Sequence, residues 1–264
     1  MLLAAARLRM GGRRLRALAA GDSTAAREYI NGDSALRLTE ARRDARIDAL
    51  TLERLEARLI VLGDPDYPPG LRDLRAPPPF LCVRGTLPAA GVAIVGACGA
   101  SRAAGGFAFA LAARLGCAVV SGLARGIDAA AHRGALAAGL PQVAYVGTGI
   151  AQTYPPEHAA LADAIVAAGG GLASERLPDE PLTRWSLVAR DRLQAAHARV
   201  VVLVESDIEG GAMHTLRFAR ELGRPCFAAD SEASGNCAAL ANGALPLPDD
   251  AESAAALILQ HLAR

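Results

Sequence analysis

Between residues 92 and 228, short apolar runs alternate with longer stretches whose apolar positions recur at helical spacing. The short runs, 92–95, 118–120, 142–146, 171–174, 200–204 and 226–228, predict strands. The stretches 107–115, 129–138, 158–168, 187–194 and 212–222 predict the helices between them. A strand as apolar as Val200-Val201-Val202-Leu203-Val204 must be covered on both faces. The alternation therefore predicts an α/β fold, a doubly wound, mostly parallel sheet with helices on each side.

Upstream the pattern changes. Residues 1–57 are rich in Ala, Leu, Arg and Glu at helical spacing and predict a small helical domain, with the main domain at 58–264. Breaks are expected near Gly11-Gly12, Gly21-Asp22-Ser23 and Asn31-Gly32-Asp33, with Asp22 or Ser23 capping the helix that follows. Between 59 and 85, prolines such as Pro65, Pro68, Pro69 and Pro77 to Pro79 exclude an interior helix. This segment reads as an extended lead-in packed on the main domain, with Leu81-Cys82-Val83 an edge strand. A last helix is expected at 251–262.

Composition narrows the function classes. With 264 residues and 52% hydrophobic content the chain can bury a large core. Its net charge of +1 supplies no global basic field, so any nucleic-acid contact must come from a local cluster of arginines; the chain has no lysine. Arg7, Arg9, Arg13, Arg14 and Arg16 form a basic stretch that reads as a solvated helix face in preference to a nucleic-acid contact. Five scattered cysteines without zinc-like spacing predict free thiols and no metal, with Cys117 in the core and Cys98 in an exposed loop. Arg7 and Arg9 interrupt the apolar N-terminus, and no run approaches the roughly 18 to 20 uncharged residues of a membrane span. The expected location is the cytoplasm, with no membrane partner.

The candidate chemistry centres on Ser121-Gly122-Leu123-Ala124-Arg125-Gly126-Ile127-Asp128, placed between a predicted strand and a predicted helix. A glycine turn into a helix N-terminus aims free backbone N–H groups at one point, with the helix dipole behind them. Arg125 in the turn and Arg133 about one and a half helical turns on would flank a phosphate there. Taken alone, the octet reads equally as a tight βα connection with Arg125 in water. Ligands of doubly wound sheets bind at the carboxyl ends of the strands. Four loops expected at that edge carry glycine or charge: 96–106, 121–128, Gly147-Thr148-Gly149 and 205–211. Together they predict a backbone-lined phosphate groove.

These residues resemble the DprA/Smf DNA-processing family. The resemblance rests on Val95-Gly96, on the octet followed by Ala130-Ala131-His132, on Gly147-Thr148-Gly149, and on Tyr154-Pro155-Pro156-Glu157. The lead-in from Gly63-Asp64 through Tyr67-Pro68 to Arg84-Gly85 is also similar to that family's. The resemblance implies an extended Rossmann-type fold, a homodimer, and single-stranded DNA held in a basic pocket. It also implies delivery of that DNA to the RecA recombinase in natural transformation, with no cofactor and no catalysis. On that reading the DNA-binding residues are Gly96, Ser121, Gly122, Arg125, Gly126, Arg133, Gly147, Thr148, Gly149, Arg190, Arg192, Gly211 and Thr215. Asp128 is expected to cap the helix or orient the loop, and His132 to be structural and bonded to Asp128. Trp185 is either a base-stacking platform or a half-buried loop residue.

The chain departs from the family pattern at three places. Gly96-Ala97-Cys98 stands where the family has Gly-Ser-Arg, Arg190-Asp191-Arg192 where it has Arg-Asn-Arg, and Gly210 to Thr215 where it has Ser-Gly-Ser-Leu-Ile-Thr. The winged-helix domain of many members is expected to be absent. Two other functions remain open. A sensor or adaptor would hold a small nucleotide derivative in the same groove. A phosphoribohydrolase would need Pro-Gly-Gly-x-Gly-Thr and a following Glu, which Gly210 to Thr215 does not supply, leaving Glu205 or Glu175 as substitutes.

Overall fold

The computed structural model describes residues 1–22, 24 and 35–263; Ser23 and the Asn31-Gly32-Asp33 break lie outside the described residues. Among the described residues the chain opens with α1 (Leu2–Arg7), α2 (Gly12–Ala19) and α3 (Ala35–Arg54). The lead-in forms β1 (Ala57–Val61), the short α4 (Pro69–Arg72) and β2 (Phe80–Gly85); α4 overturns the expectation of no helix here, because Pro69 sits at its first turn, where a missing N–H costs nothing. The alternating part then runs β3 (Val92–Val95), α5 (Arg102–Ala112), β4 (Val119–Ser121), α6 (Ile127–Ala137) and β5 (Gln142–Tyr145). A 3-10 turn (Pro156–His158) leads into α7 (Ala159–Ala167), β6 (Gly171–Ser174), α8 (Arg184–His197) and β7 (Val200–Leu203). The chain continues through α9 (Ala212–Glu221), β8 (Cys226–Ala229), α10 (Ser234–Ala241), β9 (Leu245–Leu247) and α11 (Ala251–Leu262).

The strands form one sheet in the order β1-β2-β6-β5-β4-β3-β7-β8-β9. From β6 to β9 every pairing is parallel, and β1 and β2 add two antiparallel strands at one side. The doubly wound α/β fold expected from the alternation is thus present. The expectation of an edge strand at Leu81-Cys82-Val83 is overturned. Cys82 faces Leu59 of β1 on one side and Ser174 of β6 on the other, and β1 is the edge. The run 57–61 follows directly on α3, which masked it as a strand; the chain reverses at Glu56, whose φ is 52°.

Alternate residues of the strands enter two different cores. Ala93, Val95, Val201 and Leu203 pack with Leu193, Ala196 and Leu216 of α8 and α9. Val92, Ile94, Val200 and Val202 pack with Leu111, Ala131 and Ile258 of α5, α6 and α11. A third cluster joins Phe80, Leu161 and Leu172 to Ala5, Leu15, Leu18 and Leu52, so the N-terminal helices lie against the lead-in side of the sheet. Arg7 ties the same region together by pairing with Asp48 of α3 and with Asp179.

Side-chain caps fix where the helices begin. Ser101 accepts the Ala104 N–H at 3.1 Å and starts α5 upstream of the predicted position. At α8, Thr183 and Ser186 exchange backbone N–H bonds at 3.0 and 2.9 Å, which starts that helix at Arg184.

Candidate nucleic-acid interface

Strand order reverses between β3 and β7: from β3 the chain winds outward through β4, β5 and β6, then returns to pair β7 on the other side of β3. Helices that diverge at such a point leave a crevice outside the carboxyl ends of the strands. Here the crevice is a cavity of about 420 Å³, lined from the loops after β3, β4, β5 and β7 and from α8 and α9. Gly96, Gly122, Arg125, Gly147, Arg190, Gly211 and Thr215 line it, so seven of the thirteen residues singled out from the sequence are brought together there.

Two glycines of the octet are required by close approach. At Gly122 a Cβ would lie 1.0 Å from Nη1 of Arg190 and 2.2 Å from its Cζ, so the guanidinium rests directly on the bare backbone. At Gly126, which caps α6 with φ 68° and ψ −122°, a Cβ would meet the Ala97 carbonyl oxygen at 2.2 Å. The loops after β3 and β4 therefore touch backbone to backbone, and the Ile127 N–H donates to the Ala97 carbonyl at 3.3 Å.

Arg190 is buried and forms the floor of the cavity with two buried carboxyls. Its Nη1 donates to the Tyr145 carbonyl at 3.2 Å and lies 3.6 Å from Asp128, while Nε is 3.1 Å from Asp191. Asp128 also accepts the Ala124 N–H at 3.3 Å, orienting the octet turn as expected. Asp191 is held in low-dielectric surroundings; burial raises its pKa from 3.8 to about 7, although Arg190 opposes that shift. The native state therefore holds a proton on Asp191 over a pH range in which the unfolded chain releases it. Stability contributed this way is full below about pH 4 and is lost as pH rises towards 7. Asp191→Asn is expected to gain stability relative to the parent across that interval, by a few kcal/mol at most. Denaturation midpoints at stepped pH check this, and a stability difference that stays flat from pH 4 to 8 would contradict it.

The mouth of the cavity carries different chemistry. Arg125 is 58% exposed and its Nε donates to Glu157 at 2.5 Å. Arg125 holds the Glu157 carboxyl below its ordinary range. Tyr154, which precedes Pro155 through a cis peptide, lines the same rim and is half exposed. Trp185 is not half-buried: it is 84% exposed in the first turn of α8, a turn whose Leu187 lines the cavity.

Six of the thirteen residues do not line the cavity. Ser121 is buried and donates to the Ile94 carbonyl at 2.7 Å, tying β4 to β3. Gly126 acts through the loop contact described above. Thr148 donates to the Gln152 carbonyl at 2.7 Å, and the Gly149 N–H donates to the Glu180 carbonyl at 2.7 Å; both shape the loop after β5. Arg133 is exposed on α6. Arg192 pairs with Glu175 and donates to the Ala76 carbonyl at 3.1 Å, bracing the lead-in. His132 is buried and bonds Gln142 at 2.8 Å, in place of the expected Asp128; burial lowers its pKa to about 4.

Sequence reasoning did not single out Gln194 and Asp207, which line the cavity, or Tyr154 as a rim residue. Gln194 lies four residues after Arg190 on α8, a spacing that places both on one helix face and was the available signal. The carboxylates weighed as hydrolytic substitutes are both engaged elsewhere. Glu175 pairs with Arg192, and Glu205 accepts from the backbone N–H and hydroxyl of Ser101, each at 2.7 Å. Among the described residues no group of His, Cys, Asp and Glu is placed to hold a metal, and no helix is long and apolar enough to cross a membrane.

Comparison with known proteins matches this architecture to one family. Protein Smf of Escherichia coli is 37% identical over 113 residues, 43% of this chain and 30% of that protein. Protein Smf of Synechocystis is 35% identical over 175 residues, 62% of this chain and 44% of that protein. The putative DNA processing protein DprA of Mycobacterium tuberculosis is 43% identical over 124 residues, 46% of this chain and 32% of that protein. The chain thus aligns with less than half the length of each of these relatives. Its fold matches the crystal structure of DprA from Streptococcus pneumoniae with a TM-score of 0.78 at 24% identity, covering 97% of this chain and 95% of that one. It also matches DNA processing protein A from Helicobacter pylori, described for its single-stranded DNA binding mode, with a TM-score of 0.69 at 24% identity over 77% and 97% of the two chains. The model of the DNA recombination-mediator protein A family matches residues 58–256. Three quarters of the sequence lies within that match, and the chain belongs to this family, the DprA/Smf proteins.

Proposed function

We propose that this protein binds single-stranded DNA along the rim of the β3–β7 crevice and passes it to a recombinase of the RecA type, as a mediator that breaks and forms no bond. The observation that carries the reading is the convergence of four strand-end loops around one opening, with Arg125 exposed beside it. The charge there comes from Arg125, since the Ala124 and Ile127 N–H groups of the octet are bonded within the protein, and Trp185 and Tyr154 offer faces for bases at the rim. The Helicobacter pylori neighbour, described for its single-stranded DNA binding, is consistent with this use of the fold. We place the protein in the cytoplasm, as a homodimer serving natural transformation.

Glu157 neutralises Arg125 in the free protein, so a DNA phosphate must displace a carboxylate that is itself exposed. That exchange costs little at the surface. Arg125→Ala is expected to weaken oligonucleotide binding about tenfold and to flatten the salt dependence by roughly one unit of log–log slope. Arg16→Ala should change neither. Fluorescence polarisation with labelled single strands of increasing length, at two salt concentrations, checks the reading. Affinity independent of length and salt would favour a pocket for a mononucleotide derivative, the second reading, which the cavity of about 420 Å³ behind the rim supports.

A further inference from the structure

The floor of the crevice holds more negative charge than its own cation can neutralise. Asp128, Arg190 and Asp191 are all buried and all line the cavity, so one guanidinium stands between two carboxyls. The two carboxyls are not equivalent. Asp128 accepts the Ala124 N–H at 3.3 Å, whereas Asp191 accepts no hydrogen bond among the described residues. Its ion pair is with Nε of Arg190 at 3.1 Å, and that N–H is misaligned for a hydrogen bond. A buried carboxylate with one misaligned partner is the group in this floor that gives up its charge most readily. The neighbouring groups do not share that role. Cys98, in the loop after β3, is held as a thiol by burial, and His132 of α6 is neutral above about pH 4. Asp207, in the loop after β7, is exposed, and Arg125 at the mouth is paired with Glu157. From β5 the Tyr145 carbonyl meets Arg190, while its hydroxyl is bonded to His197; α9 sends Thr215 to the cavity and not His214. Beyond α8, Arg192 is turned to Glu175 and Arg72 of α4 to the Asp64 carbonyl.

From this cluster we infer that strand binding is coupled to a proton: as a single strand settles on the rim, Asp191 takes one proton from solvent, and it returns that proton when the strand leaves. This rests on the single-strand reading above. With Asp191 ionised, the floor sets two negative charges against one positive; with Asp191 protonated, the remaining pair of Asp128 and Arg190 is neutral. A phosphodiester held at the mouth by Arg125 adds negative charge close to a floor that water screens only weakly. That charge raises the cost of an ionised Asp191 and leaves a protonated one almost unaffected. By linkage, the protonated protein binds the strand more tightly, and binding draws the proton in. The free carboxyl titrates at about 7, where burial places it, so the exchange falls near neutral pH. Affinity is therefore full on the acid side, declines as pH rises through 7 towards the higher value the carboxyl has in the complex, and is level beyond it. An asparagine at this position, as in the family pattern, has no such proton to exchange.

The test measures binding of the full chain to oligo(dT), whose bases neither gain nor lose a proton near neutrality, carrying a pH-insensitive fluorophore at fixed ionic strength. Affinity is expected to fall about tenfold between about pH 6 and about pH 8.5, the effect of a bound strand that displaces one carboxyl by about one pH unit. Asp191→Asn should hold a level affinity across that window, about tenfold tighter than the parent at its alkaline end. Asp207→Asn removes an exposed carboxylate from the same lining and should keep the parent's slope. Calorimetry near about pH 7.5, in two buffers of different ionisation enthalpy, should read about half a proton taken up per strand bound by the parent and none by Asp191→Asn. A parent whose affinity is level across the window, or an Asp191→Asn variant that keeps the slope, would overturn the inference and leave the single-strand reading intact. Binding at no pH would remove that reading, and the inference with it.

Discussion

Replacing Arg190 with alanine is expected to cost about 3 to 5 kcal/mol of folding stability and to abolish single-strand binding. The magnitude follows from what the substitution leaves behind. Asp128 and Asp191 are both buried, and each lies within 4 Å of the same guanidinium, at 3.6 and 3.1 Å. Without it they face one another in a site that water scarcely reaches, and the Tyr145 carbonyl loses its donor. Protonation of Asp191, whose carboxyl already titrates near neutrality, relieves part of that cost. The double variant Arg190→Ala, Asp191→Asn should therefore recover a measurable share of the loss, a coupling that a double-mutant cycle reads directly. Arg190→Lys should not substitute, because a single ammonium lacks the planar fork that reaches two carboxyls and a carbonyl at once. Urea denaturation checks all three, and a loss below about 1 kcal/mol for Arg190→Ala would show that the floor is not held by this residue.

The second large effect is expected at Gly126. Gly126→Ala should destabilise by roughly 3 to 5 kcal/mol, the sum of a backbone held where an L-residue is strained and of a methyl group forced into a filled space. Its Cβ would lie 2.2 Å from the Ala97 carbonyl oxygen and 2.8 Å from that of Cys98, both backbone atoms that cannot rotate away. Gly139→Ala provides the control: its φ is 63° but nothing lies within 4 Å of the added carbon. That variant should cost only about 1 kcal/mol. The gap between the two measures the loop-to-loop contact that shapes the crevice. Because the Ala97–Cys98 loop lines the cavity, Gly126→Ala should also weaken single-strand binding about tenfold in whatever fraction remains folded. Equal thermal midpoints for the two variants would contradict this account.

Much of this architecture was legible from local pattern. The strand at Val92–Val95, the strand at Gly171–Ser174 and the helix at Ala251–Leu262 fall where apolar spacing placed them, because each is bounded by turn residues and buries a consistent face. The strand at Ala57–Val61 was missed for the opposite reason: it follows a helix with no glycine or proline between them, and its antiparallel partner is distant in sequence, with Ala57 facing Arg84 and Val61 facing Phe80. The helix at Arg184–His197 starts before its apolar spacing does, since a Thr183–Ser186 cap, rather than a hydrophobic position, opens it.

The same division holds within the candidate site. Sequence alone determined that four glycine-bearing loops end strands on one edge of a doubly wound sheet, because strand direction and the pattern of crossovers follow from local alternation and chain handedness. Tertiary structure decided which side chains reach the opening. Arg190 and Arg192 stand two residues apart on one helix, so their side chains leave it on nearly opposite sides. Packing of Leu193 and Ala196 against the sheet then turns Arg190 onto Gly122 and sends Arg192 to Glu175 and the lead-in. The charge of a cavity floor depends on how distant segments dock, and a linear motif holds no record of that rotation.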